Sequence, residues 1–517
     1  MDDECMRPNG GDTEEAQRLI SDIGTVDASD ALTISLVEPS IDDDSFHKIA
    51  SFHPKFTYPL FGDEERIFGY KGLKINLQYN ASDLRPNLSV SFSKKFVSVG
   101  DIEATDVSAV MKDFLPGVSF QKHQDFRQAV RSLPDTWTPP GRVVKTFNKG
   151  GEVYEVWQGN LADSAVKQLV KRIQIIVLFF VEGGSYIGED ADGNDEPEYS
   201  LARWSVYFLY KKKPDEVKSK YIFQGYSTVY RFWMFQQPTP PATPGADTTA
   251  LHPPPNDSWE LPERDLPLTD IPHRARISQF VILPPFQGKG AGAMLYSTIF
   301  ELQMKDLSAK EVTVEDPNEA FDLLRDICDM RYLRKNEPDF ANLKINTDIP
   351  IPEKGGILRN DTGVMLTHQS HTAAATIVDI DALEKLRVRH KIAPRQFSRL
   401  VEMHLMSRLP ASVRPRADPS GSKNLVTLKG DKKVYTLWRL LLKQRIYRRN
   451  ATILGEFEIT ERILKLNETV ENVEWEYAKI IDRIESTSAV ANGKRELDKG
   501  AEAENGPLGK KIRIENA

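Results

Sequence analysis

Cysteine is almost absent from this chain: Cys5 and Cys328 are the only two in 517 residues. That is too few for a disulfide framework or a cysteine zinc site. Long apolar runs are missing as well. The most hydrophobic stretch, Ile175 to Val181 (IIVLFFV), is far shorter than the ~20 residues that cross a bilayer and reads as a buried strand. The opening residues, MDDECMRPNGGDTEE, have neither the basic start nor the apolar core of a secretory signal, so no export is expected. Excess positive charge is lacking too, since 68 Lys and Arg stand against 75 Asp and Glu, a formal charge of −7. A general nucleic-acid binder needs a net basic surface; a basic polypeptide is the more natural partner here. Of the nine histidines only His368 and His371 sit close together, with no cysteine beside them, so no metal site is expected.

What is present suffices for a large core. With 40% hydrophobic and 28% charged residues, the chain should divide into several domains. Residues 1–30 are polar and acidic and are expected to be disordered. Residues 31–161 hold short alternating segments such as Leu73 to Tyr79 and Leu88 to Ser93, the mark of a mixed, strand-rich domain. Asp163 caps a segment with helical spacing at Val166, Leu169, Val170 and Ile173. It opens a core domain over residues 162–335. Arg203 to Lys211 and Tyr221 to Phe235 are β-branched and aromatic and predict an antiparallel hairpin. Residues 238–275 then carry ten of the chain's 32 prolines, a composition that extends rather than packs. Beyond this insertion the order is strand, glycine loop, helix, strand, helix, with Pro317 opening the last helix. Residues 336–485 contain three amphipathic helical stretches and predict a helical domain. Residues 486–517 form a polar tail with basic clusters at Gly493 and Gly509, which suit an import signal.

The glycine loop, Gln287-Gly288-Lys289-Gly290-Ala291-Gly292-Ala293, is the most informative motif. It is not a nucleotide P-loop: the position five before Gly288 is Leu283, and Lys289 is followed by Gly290 rather than Ser or Thr. A relaxed dinucleotide fingerprint matches at Gly288, Gly290 and Ala293, with Glu311 or Glu315 about twenty residues on. However, Pro-Pro-Phe-Gln intervenes between strand and loop, where that fingerprint turns directly. The third reading is the pyrophosphate loop of an acyl-coenzyme A transferase. There, backbone N–H groups stripped of side chains converge on phosphates at a helix start. A plain glycine turn that merely starts a helix would carry the same pattern.

Context favours the third reading. RISQFVILPPFQGKGAGAMLY followed by VTVEDPNEAFDLLRD, with FGDEERIFGYKGLKI and GYSTVYRFW before them, resembles the type B histone acetyltransferases of the Gcn5-related N-acetyltransferase superfamily. The resemblance spans roughly Ala31 to Leu333. It implies an α/β (α+β) fold: an acetyltransferase mixed sheet with flanking helices, a mixed N-terminal domain before it and a helical domain after. It also implies acetyl-CoA as co-substrate, no metal, and direct attack in a ternary complex with Glu315 of the Glu-Asp-Pro motif as general base. Asp316 and Glu182 are further carboxylates for proton relay. The resemblance places Phe280, Val281 and Ile282 along the pantetheine arm, Gln287 to Ala293 on the pyrophosphate, and Asn318 within reach of the coenzyme. It assigns the N-terminal tail of newly made histone four to Asp63, Glu64, Glu65, Tyr230, Arg231 and Phe232. A WD-repeat histone-binding subunit is the implied partner, with cytoplasm and nucleus as locations. A non-catalytic histone escort retaining the fold is the alternative from another class. Cys328 lies among helix-patterned apolar residues and reads as core rather than as an acyl carrier.

Overall fold

The computed structural model describes residues 24–40, 45–98, 100, 102–190, 193–214, 220–234, 271–351, 377–417 and 426–503, with side chains as far as residue 486. They form two compact units that divide after Asp316.

Residues 24–30, part of the segment expected to be disordered, are structured. Thr25–Asp27 pairs antiparallel with Arg66–Phe68, and Asp27 caps the turn Ala28–Ala31, whose Ala28 and Ala31 are buried. Composition does not reveal this, because the segment is held by strand pairing and small-residue packing rather than by large apolar side chains. A four-stranded sheet follows: β1 (Leu32–Pro39), β2 (Phe46–Phe52), β3 (Lys74–Asn80) and β4 (Pro86–Ser91), in the order β2-β1-β3-β4. Alternation along β3 sends Ile75, Leu77 and Tyr79 into the core, as period-two spacing dictates.

The second sheet has six strands: β5 (Arg142–Lys149), β6 (Glu152–Asn160), β7 (Trp204–Lys212), β8 (Tyr221–Trp233), β9 (His273–Ile282) and β10 (Ala309–Val314). They lie in the order β10-β9-β8-β7-β6-β5, and β7 and β8 form the expected antiparallel pair. All neighbours are antiparallel except β9 and β10. A dinucleotide fold needs repeated parallel βα units, which this sheet lacks. Strands β5 and β6, grouped by sequence with residues 31–161, belong to this second sheet, β5 at its edge and β6 between β5 and β7. The two sheets also share one hydrophobic cluster, from Ile34 and Leu77 to Phe208 and Tyr226. Their junction is the turn after β3. Ser82 Oγ donates to Tyr221 O at 2.8 Å, Phe223 N donates to Ala81 O at 2.9 Å, and Arg172 reaches Asp83 Oδ2 at 3.1 Å.

Helix α1 (Ser164–Ile173) is capped by Asp163, which accepts from Ala165 N and Val166 N. The IIVLFFV run that follows is not a strand. It forms helix α2 (Ile175–Phe180), with Ile175 to Phe179 buried. A short, uniformly apolar run carries no period, so burial on every side suits helix and strand alike, and the tertiary setting decides. Between β9 and β10 runs α3 (Ala291–Lys305).

The second unit is helical: α4 (Glu319–Asn336), α5 (Ile380–Arg389), α6 (Pro394–Ser407), α7 (Lys429–Arg449) and α8 (Ile459–Ala503) are its main elements. Asn318, not Pro317, supplies the start of α4, accepting from Phe321 N at 2.9 Å. Its interior includes paired polar groups. The Gln396 amide donates to Asp326 and Asp329, and Glu402 accepts from Arg445 and Tyr477. Helix α8 continues past Glu485 to Ala503, into the segment expected to be a polar tail. Among the described residues no helix is long and apolar enough to cross a membrane.

The sequence 238–270 of the proline-rich insertion, with His368 and His371, lies outside the described residues. The insertion's far boundary is visible, because β9 begins at His273 rather than Arg276. Trp233 pairs directly with His273, so the chain leaves and rejoins the sheet at one point. Deletion of Thr239 to Pro272 should therefore preserve a single cooperative thermal transition, with a midpoint within roughly 4 °C of the parent. A broadened or strongly lowered transition would show that the insertion contributes to the core.

Candidate active site

The site begins where a strand pair ends. The parallel pairing of β9 with β10 stops at Ile277 and Val314, and one more bond follows, from Glu315 N to Ile277 O at 2.9 Å. Strand β9 continues to Ile282, paired with β8 on its other side through Gly225. Past Ser278, among the described residues, no strand accompanies it on the β10 side. Opposite this stretch β8 carries a bulge between Ser227 and Val229, where Thr228 Oγ1 accepts from Gln279 N at 3.0 Å. The Phe280–Ile282 segment thus runs on past the end of β10, with Val281 and Ile282 buried.

The glycine loop follows that segment. Gln287 turns its amide back to donate to Ile282 O at 2.7 Å. Gly288 and Gly290 adopt φ of +72° and +87°, left-handed values that disfavour any side chain. Gly290 is also the N-cap of α3, and no side chain caps the helix. The N–H groups of Ala291, Gly292 and Ala293 therefore have no helical carbonyl to meet, and the helix dipole adds positive potential there. Lys289 bends its ammonium onto Pro285 O at 3.0 Å. A cation from elsewhere joins it: Lys149, at the end of β5, donates to the Lys289 carbonyl. A Cβ at Gly290 would lie 2.4 Å from the Lys149 Nζ. Sequence reading missed Lys149, since 140 residues separate it from its partner.

Glu315 stands at the tip of β10, exposed. Its Oε2 accepts from Ser278 Oγ at 2.6 Å, and its Oε1 lies 3.6 Å from the Arg276 guanidinium. Ser278 and Arg276 were also missed. The signal for them is the alternation of β9, whose buried residues alternate with half-buried Arg274, Arg276 and Ser278. Asp316 follows with φ of +34°, and its carboxylate, like that of Glu182, is exposed. Glu182 belongs to the loop after α2. That loop is tied down by Tyr58, whose hydroxyl accepts from Gly183 N at 2.8 Å, and by Gln279, which donates to Ser185 O at 2.8 Å. Asn318 caps α4 in the second unit, which also holds Cys328 in mid-helix.

The predicted tail-contact residues divide by circumstance. Asp63 and Glu64 are exposed. Glu65 turns inward, accepting from Thr57 Oγ1 at 2.6 Å and from Thr57 N, so its carboxylate holds its own loop. Tyr230 stacks near Trp204, with ring centroids 4.6 Å apart, beneath the Arg203 guanidinium. Phe232 is exposed and covered by Arg276 at 5.1 Å, the same arginine that faces Glu315. Arg231 lies 3.6 Å from Asp306. Burial would raise the Asp306 carboxyl, but hydrogen bonds from Ser308 and the charges of His273 and Arg231 outweigh it and hold the group below its ordinary range.

Comparison with known proteins places this arrangement. The family described as Histone acetyl transferase HAT1 N-terminus matches residues 24–182, and Fungal HAT1, C-terminal, matches residues 365–409. The histone acetyltransferase type B catalytic subunit of Gibberella zeae is 45% identical, covering 95% of this chain and 98% of that protein. Its counterpart in Pyricularia oryzae is 44% identical over 96% and 99%, and that of Neurospora crassa 42% identical over 92% and 95%. With end-to-end similarity of this kind, the chain belongs to the family of histone acetyltransferase type B catalytic subunits.

Proposed function

We propose that this protein transfers the acetyl group of acetyl-CoA to lysine side chains in the N-terminal tail of newly made histone four, with Glu315 as general base. The observation that carries the reading is the position of Glu315. Its exposed carboxylate is fixed by Ser278 and Arg276 at the point where β10 leaves β9, next to the strand that ends in the glycine loop.

The residues fit the coenzyme. Left-handed Gly288 and Gly290, the uncapped start of α3 and the ammonium of Lys149 offer donors and positive charge suited to a pyrophosphate. Phe280 to Ile282 offer an extended backbone for the pantetheine arm, and an N–H from this segment would polarise the thioester carbonyl. The bound thioester supplies the acyl group. A lysine amine has a pKa near 10.4, so at neutral pH it must lose a proton before it can attack, and Glu315 accepts it. Asp316 and Glu182 would relay that proton onward. Asp63, Glu64 and the aromatic edge of Tyr230 and Phe232 would receive a basic, glycine-rich tail, with Glu65 and Arg231 shaping the surfaces around it. A WD-repeat histone-binding subunit completes the reading, with work in cytoplasm and nucleus ahead of chromatin assembly. Calorimetric titration with acetyl-CoA, and mass spectrometry of a histone-four tail peptide after incubation, test it. Absence of coenzyme binding would overturn it.

Gly290→Val should raise the Michaelis constant for acetyl-CoA far more than that for the peptide, because a branched side chain enters both a left-handed position and the proposed phosphate cradle. Unchanged coenzyme affinity in a folded variant would remove the cradle. Glu315→Gln should lower turnover by about 10² to 10⁴-fold at neutral pH with coenzyme affinity nearly unchanged. As pH rises the substrate amine deprotonates without help, so the variant should regain part of its deficit relative to the parent. A near-silent Glu315→Gln beside a crippling Glu182→Gln or Asp316→Asn would move the base to that residue.

A further inference from the structure

The helical unit contains a cavity of about 460 Å³ where α5, α6 and α7 converge. Val378, Leu383, Phe397, Val401 and Leu441 give it apolar walls. Its mouth is cationic. Arg387 is satisfied by a bidentate pair with Glu384, and Arg445 by Glu402 at 2.6 Å. Arg448 and Arg449, in the last turn of α7, are exposed and also line the cavity. Neither has a hydrogen-bond or carboxylate partner among the described residues. Arg449 shows the resulting crowding: partial burial first, then the charges of Arg395 and Arg445, lower its affinity for a proton. A cation in the last turn offsets the helix dipole. That accounts for a basic residue here but not for several crowded around an apolar hole.

We propose that this cavity is a docking site for an acidic peptide segment of a partner protein, which seats one large apolar side chain between α5, α6 and α7 and pairs its carboxylates with Arg448 and Arg449. Charge complementarity selects the occupant. The paired arginines leave the mouth with a net positive charge that a basic tail would not tolerate, so the partner differs in kind from the proposed substrate. The apolar walls select against nucleic acid, whose phosphates would engage the arginines and leave Phe397 and Val401 without a partner. The size is that of an ordinary ligand pocket, and an apolar anchor with a charged rim is the usual anatomy of a peptide contact.

The test uses the full-length protein and a labelled twelve-residue peptide built from Glu, Asp, Leu and Phe. A second peptide has the same apolar residues with Lys in place of the acids. Fluorescence anisotropy should show saturable binding of the acidic peptide, weakened by salt, and none of the basic one. Arg448→Glu with Arg449→Glu should weaken binding about tenfold or more, since two attractions become repulsions. The circular dichroism and thermal midpoint of this variant should match the parent, because both side chains are exposed. Val401→Trp, which fills the cavity without touching its charge, should also abolish binding. Equal binding of both peptides, no binding of either, or an acidic peptide indifferent to both variants would overturn the proposal. Displacement of the peptide by dodecanoate together with tighter binding of that amphiphile would assign the cavity to a small lipid-like anion instead.

Discussion

The parallel pairing of β9 with β10 runs only as far as Ile277 and Val314, and the arrangement around Glu315 follows from that limit. Backbone N–H and C=O groups left without a strand must find other partners or face a ligand. Here the Gln287 amide takes the Ile282 carbonyl, the Thr228 hydroxyl takes Gln279 N across the β8 bulge, and Glu315 N makes the last ladder bond. The departure of β10 turns the Glu315 side chain from a strand position into an exposed group held by Ser278 and Arg276.

Around this divergence the first unit is arranged to hold its parts still. The turn after β3 is bonded to β7, β8 and α1, so the N-terminal sheet and the second sheet share one core. The loop bearing Glu182 is fixed from two sides, by Tyr58 of the N-terminal segment and by Gln279 of β9. Arg276 unites the aromatic edge with the carboxylate, lying over Phe232 and facing Glu315. The Glu315 carboxylate and the Phe232 ring are thereby set by the same guanidinium.

Electrostatics separate the two units. The first unit exposes acids at Asp63, Glu64, Glu182, Glu315 and Asp316, while arginines outnumber glutamates in the lining of the helical cavity. A formal charge of −7 averages over these opposite surfaces. The net figure conceals a local surface of the other sign.

The sequence by itself determined the local units. Helical spacing with an Asp cap specified α1, alternation specified β3, β-branched and aromatic content specified the β7–β8 hairpin, and glycine at Gly288 and Gly290 specified a turn that only a residue without a side chain adopts freely. These are properties of neighbours in the chain. Tertiary structure decided what neighbours cannot encode. IIVLFFV became a helix because uniform burial erases its period. Glu65 became a loop anchor because Thr57 folds beneath it, and Asn318 became a helix cap. Lys149, Ser278 and Arg276 acquired their partners only when distant strands met. Each depends on contacts between segments far apart in sequence, whose free energy exceeds local preference and leaves no local pattern to read.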